Sequence, residues 1–205
     1  TIVDLKSVGL KTGIASPLLK PTLALIDPRT TESLPGGVVA ATGFDVLTHA
    51  VESYTARPYT SRPKPAHPSQ RPPYQGSTPY NDIGSLHAIR LGGRYLARAV
   101  RDAGDTEARH QLMFASTLAG LAFGSAGVHI PHAMSYSVAT LKHEFSAAGY
   151  EDRDRMVPHG IAVVINAPAA FRFTAQANPA RHLEAAAALG VDVTGAAPGD
   201  AGEIL

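Results

Sequence analysis

The 205 residues contain no cysteine. A thiolate nucleophile, a cysteine-type zinc site and a disulfide are therefore excluded, and any metal has to be held by histidines and carboxylates. An excess of one charge is missing too: Lys plus Arg number 18 against 17 Asp plus Glu, a formal net charge of +1. Neutralising a phosphate backbone needs a basic surplus, so nucleic acid is not an expected partner. Aromatics are scarce at 6%, while 44% of the residues are hydrophobic and 17% charged, an alanine-rich globular composition and not a disordered one. Neither a starting Met nor a basic-then-apolar leader is present, and the residues from Asp200 onward read as a helix just beginning. An internal piece of a longer chain is the expectation. Finally, residues 111–141 lack every Asp, Glu, Lys and Arg. Length alone would suit a membrane span, but Gln111, Ser116, Thr117, His129, Pro131 and His132 would be poorly satisfied in lipid, so no membrane partner is expected and a buried helix is.

What is present reads as a short strand-and-turn segment followed by helices. Ile2-Val-Asp-Leu5 and the apolar run Leu23-Ala-Leu-Ile26 read as strands, the second one buried, with Gly9, Gly13 and Pro17 as breakers. From about Thr31 the apolar positions shift to helical spacing, with Pro35 suited to a first turn and an end expected near Tyr54. Residues 57–80 carry prolines at 58, 63, 65, 68, 72, 73 and 79, so a helix is impossible there and a long surface excursion anchored by Tyr59, Tyr74 and Tyr80 is expected. Helices are predicted at 82–101, at 105–123 with Asp105 as N-cap, after the break Gly124-Ser-Ala-Gly127, at 158–176, and at 179–189 closed by Gly190.

The chemistry concentrates in a few of these elements. Asp45 and His49 stand four apart on one helix, so both project from one face, and Glu52 follows on nearly the same face as a partner for His49 or as part of a solvated surface. His129 and His132 stand three apart in the least charged part of the chain, where a buried imidazole needs a partner such as a metal. His159 opens a helix beside Gly160, which leaves room for close approach. One carboxylate with three imidazoles suits Fe(II) or Zn(II), and Mn(II) or Ni(II) less well. Spacing alone does not choose between His129 and His132. His87, His110, His143 and His182 read as surface or boundary residues.

Pro21-Thr-Leu-Ala-Leu-Ile-Asp-Pro28, Leu34-Pro35, Thr42-Gly-Phe-Asp-Val-Leu-Thr-His-Ala-Val-Glu-Ser-Tyr54, His132-Ala-Met-Ser-Tyr136 and Pro158-His-Gly160 together resemble the iron-containing (group III) alcohol dehydrogenases. The proline-rich excursion, Gly127-Val-His-Ile-Pro-His-Ala-Met-Ser-Tyr136 and Pro168-Ala-Ala-Phe-Arg-Phe-Thr-Ala-Gln176 are closer still to their hydroxyacid-oxoacid transhydrogenase branch. The resemblance implies a mainly α chain: the all-helical metal-binding domain of a dehydroquinate synthase-like two-domain fold over residues 31–205, preceded at 1–30 by the last strands of the α/β nucleotide-binding domain. It places a metal on Asp45, His49, His132 and His159, since aligning Ala133-Met134-Ser135 selects His132 and puts Tyr136 where the family has a second histidine. His129 is then an extra imidazole, and Tyr136 and His129 are the catalytic candidates. Lys11 and Leu34 match positions beside an NAD cofactor, whereas the family's Gly-Gly-Gly-Ser phosphate-binding segment has no match, so tight cofactor binding by this piece alone is not expected. The implied reaction passes hydride between a hydroxyacid such as 4-hydroxybutyrate and an oxoacid such as 2-oxoglutarate through NAD(H), with Arg57, Arg71, Lys142 and Arg172 as candidate carboxylate receivers. A homo-oligomer is implied as well, cytoplasmic in a bacterium or mitochondrial in a eukaryote. Rival expectations are a simple NAD-dependent alcohol dehydrogenase, a metal-binding regulatory or storage domain, and a proline-tract interaction module centred on residues 57–80.

Overall fold

The computed structural model describes residues 2–8, 10–14, 16–19, 21–140, 145–151 and 155–205. Two short strands, β1 (Ile2–Leu5) and β2 (Leu10–Gly13), pair antiparallel with Ile2 opposite Gly13. Eight α-helices follow among the described residues: α1 (Gly36–Thr55), α2 (Pro79–Arg101), α3 (Thr106–Ala126), α4 (Ile130–Thr140), α5 (His159–Val164), α6 (Ala167–Ala175), α7 (Pro179–Leu189) and α8 (Ala201–Ile204).

Helices α1, α2 and α3 form the core. Their facing stripes are Val39, Ala50, Val51 and Tyr54 on α1, Ala88, Ile89, Tyr95 and Ala99 on α2, and Ala108, Leu112, Ala115 and Ala119 on α3. Alanine at so many contact positions lets the helices lie close, and two glycines take the process further. The side chain of Leu96 fills the place a Cβ on Gly43 would take, and Leu47 does the same at Gly92. Such interlocking fixes the rotation of α1 about its axis, and that rotation decides where Asp45 and His49 point.

Helix ends follow local chemistry. Thr78 caps α2 by accepting the Asn81 N–H, and Asp105 caps α3 by accepting that of Ala108. Gly127 ends α3 at φ 86°, a conformation side chains rarely adopt, and α4 leaves at 103° to α3. The uncharged run is thus two bent helices. Among the described residues no single helix is long and apolar enough to cross a membrane.

Four expectations need correction. Residues 23–26 form no strand: no described strand lies beside them, and Leu23 and Leu25 are exposed. The helix expected at 158–176 is two, α5 and α6, parted at Ile165 and Asn166, where Asn166 donates its side-chain N–H to the Ala162 carbonyl and Pro168 begins a new first turn. His182 is not a surface residue but is 1% exposed, held between the Thr174 hydroxyl (2.9 Å) and the Asn178 carbonyl (2.9 Å). The tyrosines do not anchor the proline-rich excursion as a group, because Tyr59, Tyr74 and Tyr80 are all exposed, although Tyr74 lies against Gly127. Backbone bonds close the excursion instead, from Gln75 to Ser125 and between Tyr59, Ser77 and Arg57. His143 lies outside the described residues.

Ile89 is fully buried at the centre of the three-helix core. Ile89→Ala is expected to destabilise the protein by about 2–5 kcal/mol and Ile89→Val by about 1 kcal/mol, as read from urea-unfolding midpoints at constant m-value.

Candidate metal centre

Three helices, α1, α4 and α5, converge at one place. Asp45, His49 and Glu52 lie along one face of α1, His132 sits in the first turn of α4, and His159 opens α5 just after Pro158. Helix α5 reaches α1 because residue 160 is glycine: a Cβ there would overlap the Ala41 carbonyl oxygen and press on Asp45 Cβ.

Asp45 Oδ1 faces His132 Nε2 at 3.3 Å and His159 Nε2 at 3.8 Å. One ligand atom from each of Asp45, His132 and His159 falls within 4.8 Å of the others. His49 is not in that group. Its Nδ1 lies 3.8 Å from the other oxygen of Asp45, while its ring stacks between Phe123 (centroids 4.1 Å apart) and His132 (4.3 Å).

Glu52 governs the geometry. It is fully buried, and Oε1 accepts the backbone N–H of His129 (2.7 Å) and of His132 (3.4 Å), free donors of the α4 N-terminus, while Oε2 accepts from His132 Nδ1. The acceptor oxygens place the imidazole hydrogen on Nδ1 and turn Nε2 toward Asp45. Of the two readings for Glu52, neither a solvated face nor a partner of His49 matches: its partner is His132. The signal lay in the helical phase, since residue 52 falls two turns beyond Asp45 on the same face.

Asp45 Oδ1 and His132 Nε2 are both buried and have no hydrogen-bond partner. Two such atoms turned on one another call for a positive charge between them. Burial works against a charged His132, but the carboxylates of Asp45 and Glu52 outweigh it and raise its pKa to about 9. Burial also works to raise the Asp45 pKa, yet the three histidines around it bring it below the usual carboxylate range. Burial holds His49 down to about 4 and lowers His159 as well. Once the Nε2 proton of His132 is displaced, an anionic oxygen beside imidazole lone pairs, with no cysteine, is a donor set that fits a borderline divalent cation.

The remaining candidates fall around this group. His129 shares Glu52 with His132, but its Nε2 is engaged by the Thr55 hydroxyl at 3.0 Å, and it lies outside the converging three. Tyr136 is half-buried, and a Cβ on Gly13 of β2 would lie 3.4 Å from its hydroxyl. Lys11 on β2 carries its charge close enough to His159 to disfavour the imidazolium there. Leu34 lines a cavity of about 230 Å³ with Val39, Val46 and Met113, at whose edge Arg109 holds the loop ahead of α1. Arg109, which the sequence did not single out, is 3% exposed and donates to the carbonyls of Thr31 (2.7 Å) and Leu34 (3.1 Å). Phe123, also unforeseen, is the surface on which His49 lies. Among the candidate carboxylate receivers, Arg57 borders a cavity beside His129, Arg71 is exposed, Arg172 is paired with Glu203 at 2.7 Å, and Lys142 lies outside the described residues.

A family model described as "Fe-containing alcohol dehydrogenase family, C-terminal" matches residues 74–203. The chain belongs to the iron-containing alcohol dehydrogenase family. Its sequence motifs carry the same resemblance. It is 51% identical over 205 residues to "Hydroxyacid-oxoacid transhydrogenase, mitochondrial" of Rattus norvegicus, covering 100% of this chain and 44% of that protein. Among solved structures, a 1,3-propanediol oxidoreductase is similar with a TM-score of 0.68 at 31% identity, over 87% of this chain and 38% of that one. A sulfoacetaldehyde reductase from Bifidobacterium kashiwanohense, solved in complex with NAD+, gives a TM-score of 0.69 at 28% identity over 98% and 45%. The chain of this family member therefore spans less than half the length of the relatives it matches.

Gly160→Ala is expected to push α5 off α1, destabilising the protein by about 1–3 kcal/mol in urea unfolding. Gly199→Ala, which meets nothing within 4 Å, is the control and should leave the midpoint nearly unchanged.

Proposed function

We propose that this chain is the metal-binding part of an NAD-dependent oxidoreductase that passes hydride between a hydroxyacid and an oxoacid, of the 4-hydroxybutyrate/2-oxoglutarate type. The observation that carries the reading is the pair of buried, unpartnered atoms Asp45 Oδ1 and His132 Nε2 meeting His159, in a chain 51% identical to a protein named as such a transhydrogenase. Asp45, His132 and His159 hold a divalent cation, iron by family and zinc by the same donor chemistry, and His49 is the fourth ligand, its imidazole kept neutral by burial so that one ring nitrogen is free to bind. When bound, such a cation supplies Lewis acidity toward the hydroxyl or carbonyl oxygen of the substrate.

The chain's own residues set up that site. Glu52 fixes the tautomer and tilt of His132, and Phe123 supports the ring of His49. Tyr136, its pKa raised by burial, keeps its proton at neutral pH and can donate it. His129, kept neutral by burial, stands beside Thr55 as the second catalytic candidate. By the family resemblance Lys11 would lie near the nicotinamide ribose of bound NAD, and Leu34 beside the cofactor. Residues 1–30 form the edge of a nucleotide-binding domain and 31–205 the helical one, a division supported by the exposed apolar Leu23 and Leu25 at the junction. The rat relative's name carries a mitochondrial location, which this protein shares if its source is eukaryotic.

The test uses the full-length protein. Metal content by elemental analysis and oxoacid-dependent oxidation of 4-hydroxybutyrate, with NAD at catalytic concentration, should both be present in the parent and both be lost in Asp45→Ala and His132→Ala. Turnover that needs stoichiometric NAD and no oxoacid would favour a simple alcohol dehydrogenase, the reading supported by the 1,3-propanediol oxidoreductase likeness. Metal without either turnover would sink both.

Glu52→Gln presents an amide to His132, reverses its tautomer and directs an N–H at Asp45. Metal affinity is expected to fall about 10–100-fold, measured by chelator competition, with the helical circular dichroism signal retained.

A further inference from the structure

On the other side of His129, a cavity of about 650 Å³ opens between the start of the proline-rich excursion and the ends of α6 and α7. Its charged walls are all cationic: Arg57 and Arg62 border it, and no Asp or Glu does. The Arg57 guanidinium donates only to the neutral Ser61 carbonyl, at 3.2 Å, and that of Arg62 has no hydrogen bond or ion pair with any described residue. Two unneutralised guanidiniums at one mouth repel each other and attract an anion. Gln176 adds an amide, while Phe173 and Ile130 add apolar surface, so the lining suits a short carbon chain with an acidic end. The volume is in the range of small-molecule sites, far above what a lone inorganic anion fills.

The cavity is linked to the metal centre through His129, although none of Asp45, His49, His132 and His159 lines it. His129 is part of its wall, with its side chain 21% exposed, and its backbone N–H binds the same Glu52 that holds His132. We propose that this cavity binds a small-molecule carboxylate, with Arg62 and Arg57 as the receiving cations. Arg62 was not among the cations picked from sequence, where proximity to motifs favoured Arg57, Arg71, Lys142 and Arg172. The proposal deepens the hydroxyacid reading by naming where acidity is recognised, and its relevance to turnover rests on that reading; the binding itself does not.

The carboxylate has two sources, the substrate's own acid group or a second acid molecule, and one set of variants separates them. Binding of 2-oxoglutarate to the metal-loaded full-length protein is measured by isothermal titration calorimetry for the parent, Arg62→Met, Arg57→Met, the double variant and Arg71→Met. Thermal melts serve as the folding check, and Arg62→Lys keeps the charge. Each Met replacement at 57 or 62 should weaken binding about tenfold or more, since a hydrogen bond to a charged group contributes on that scale. Arg62→Lys should retain part of the affinity, and Arg71→Met should bind as the parent does. A raised KM for 4-hydroxybutyrate with unchanged turnover of an uncharged alcohol assigns the carboxylate to the substrate. Loss of a second binding stoichiometry, with KM unchanged, assigns it to a separate acid. Parent-like affinity in the folded double variant, or no binding by the parent, overturns the proposal. Absence of hydroxyacid turnover in the parent would instead count against the reaction, leaving the calorimetry to decide the cavity.

Discussion

A single buried carboxylate organises this molecule's chemistry. Glu52 belongs to α1, yet each of its bonds runs to the start of α4 or to the loop just ahead of it, so one side chain ties two helices that are far apart in sequence and sets the imidazole of His132 in the same act. A carboxylate at a helix N-terminus meets the free N–H groups and the positive end of the helix dipole, which offsets the cost of removing it from water. Were Glu52 neutral and apolar, α4 would lose its cap and His132 its orientation together.

The cost of this arrangement is visible in how tightly the helices must pack. Glycine at 160 brings α5 against α1, and glycines at 43 and 92 receive leucines from α2 and α1 respectively. None of these positions carries a group that could bind anything. They matter because ligand atoms must converge within about half an ångström to act together, and only close-packed backbones hold that tolerance.

Much of this was legible in the sequence, for reasons particular to each element. The pairing of Asp45 with His49 and the placement of His159 after a proline were readable because helical phase and N-terminal proline are local signals. The choice of His132 over His129 was not local and needed the neighbouring Ala133-Met134-Ser135 motif; in the fold the two imidazoles differ in what they touch, Thr55 for one and Asp45 for the other. Leu23-Ala-Leu-Ile26 misled because an apolar run declares a wish for burial without naming the surface that covers it. His182 was read as boundary because its neighbour Arg181 is charged, but that guanidinium is itself taken up by Asp82 and the ring of Tyr54, and the imidazole follows it inward. Arg62 and Arg109 carried no pattern at all, since what surrounds them is set only by the path of the chain in space.

Arg109 has one further consequence. A guanidinium inside the protein, bonded through its two terminal nitrogens to peptide carbonyls and to no acid, clasps the strip of chain at 31–34 to the third helix. The first helix is thereby anchored at its entrance, so any swing of the leading hairpin toward or away from the histidines has to find its pivot upstream of Thr31, in the stretch where Leu23 and Leu25 stand open to water.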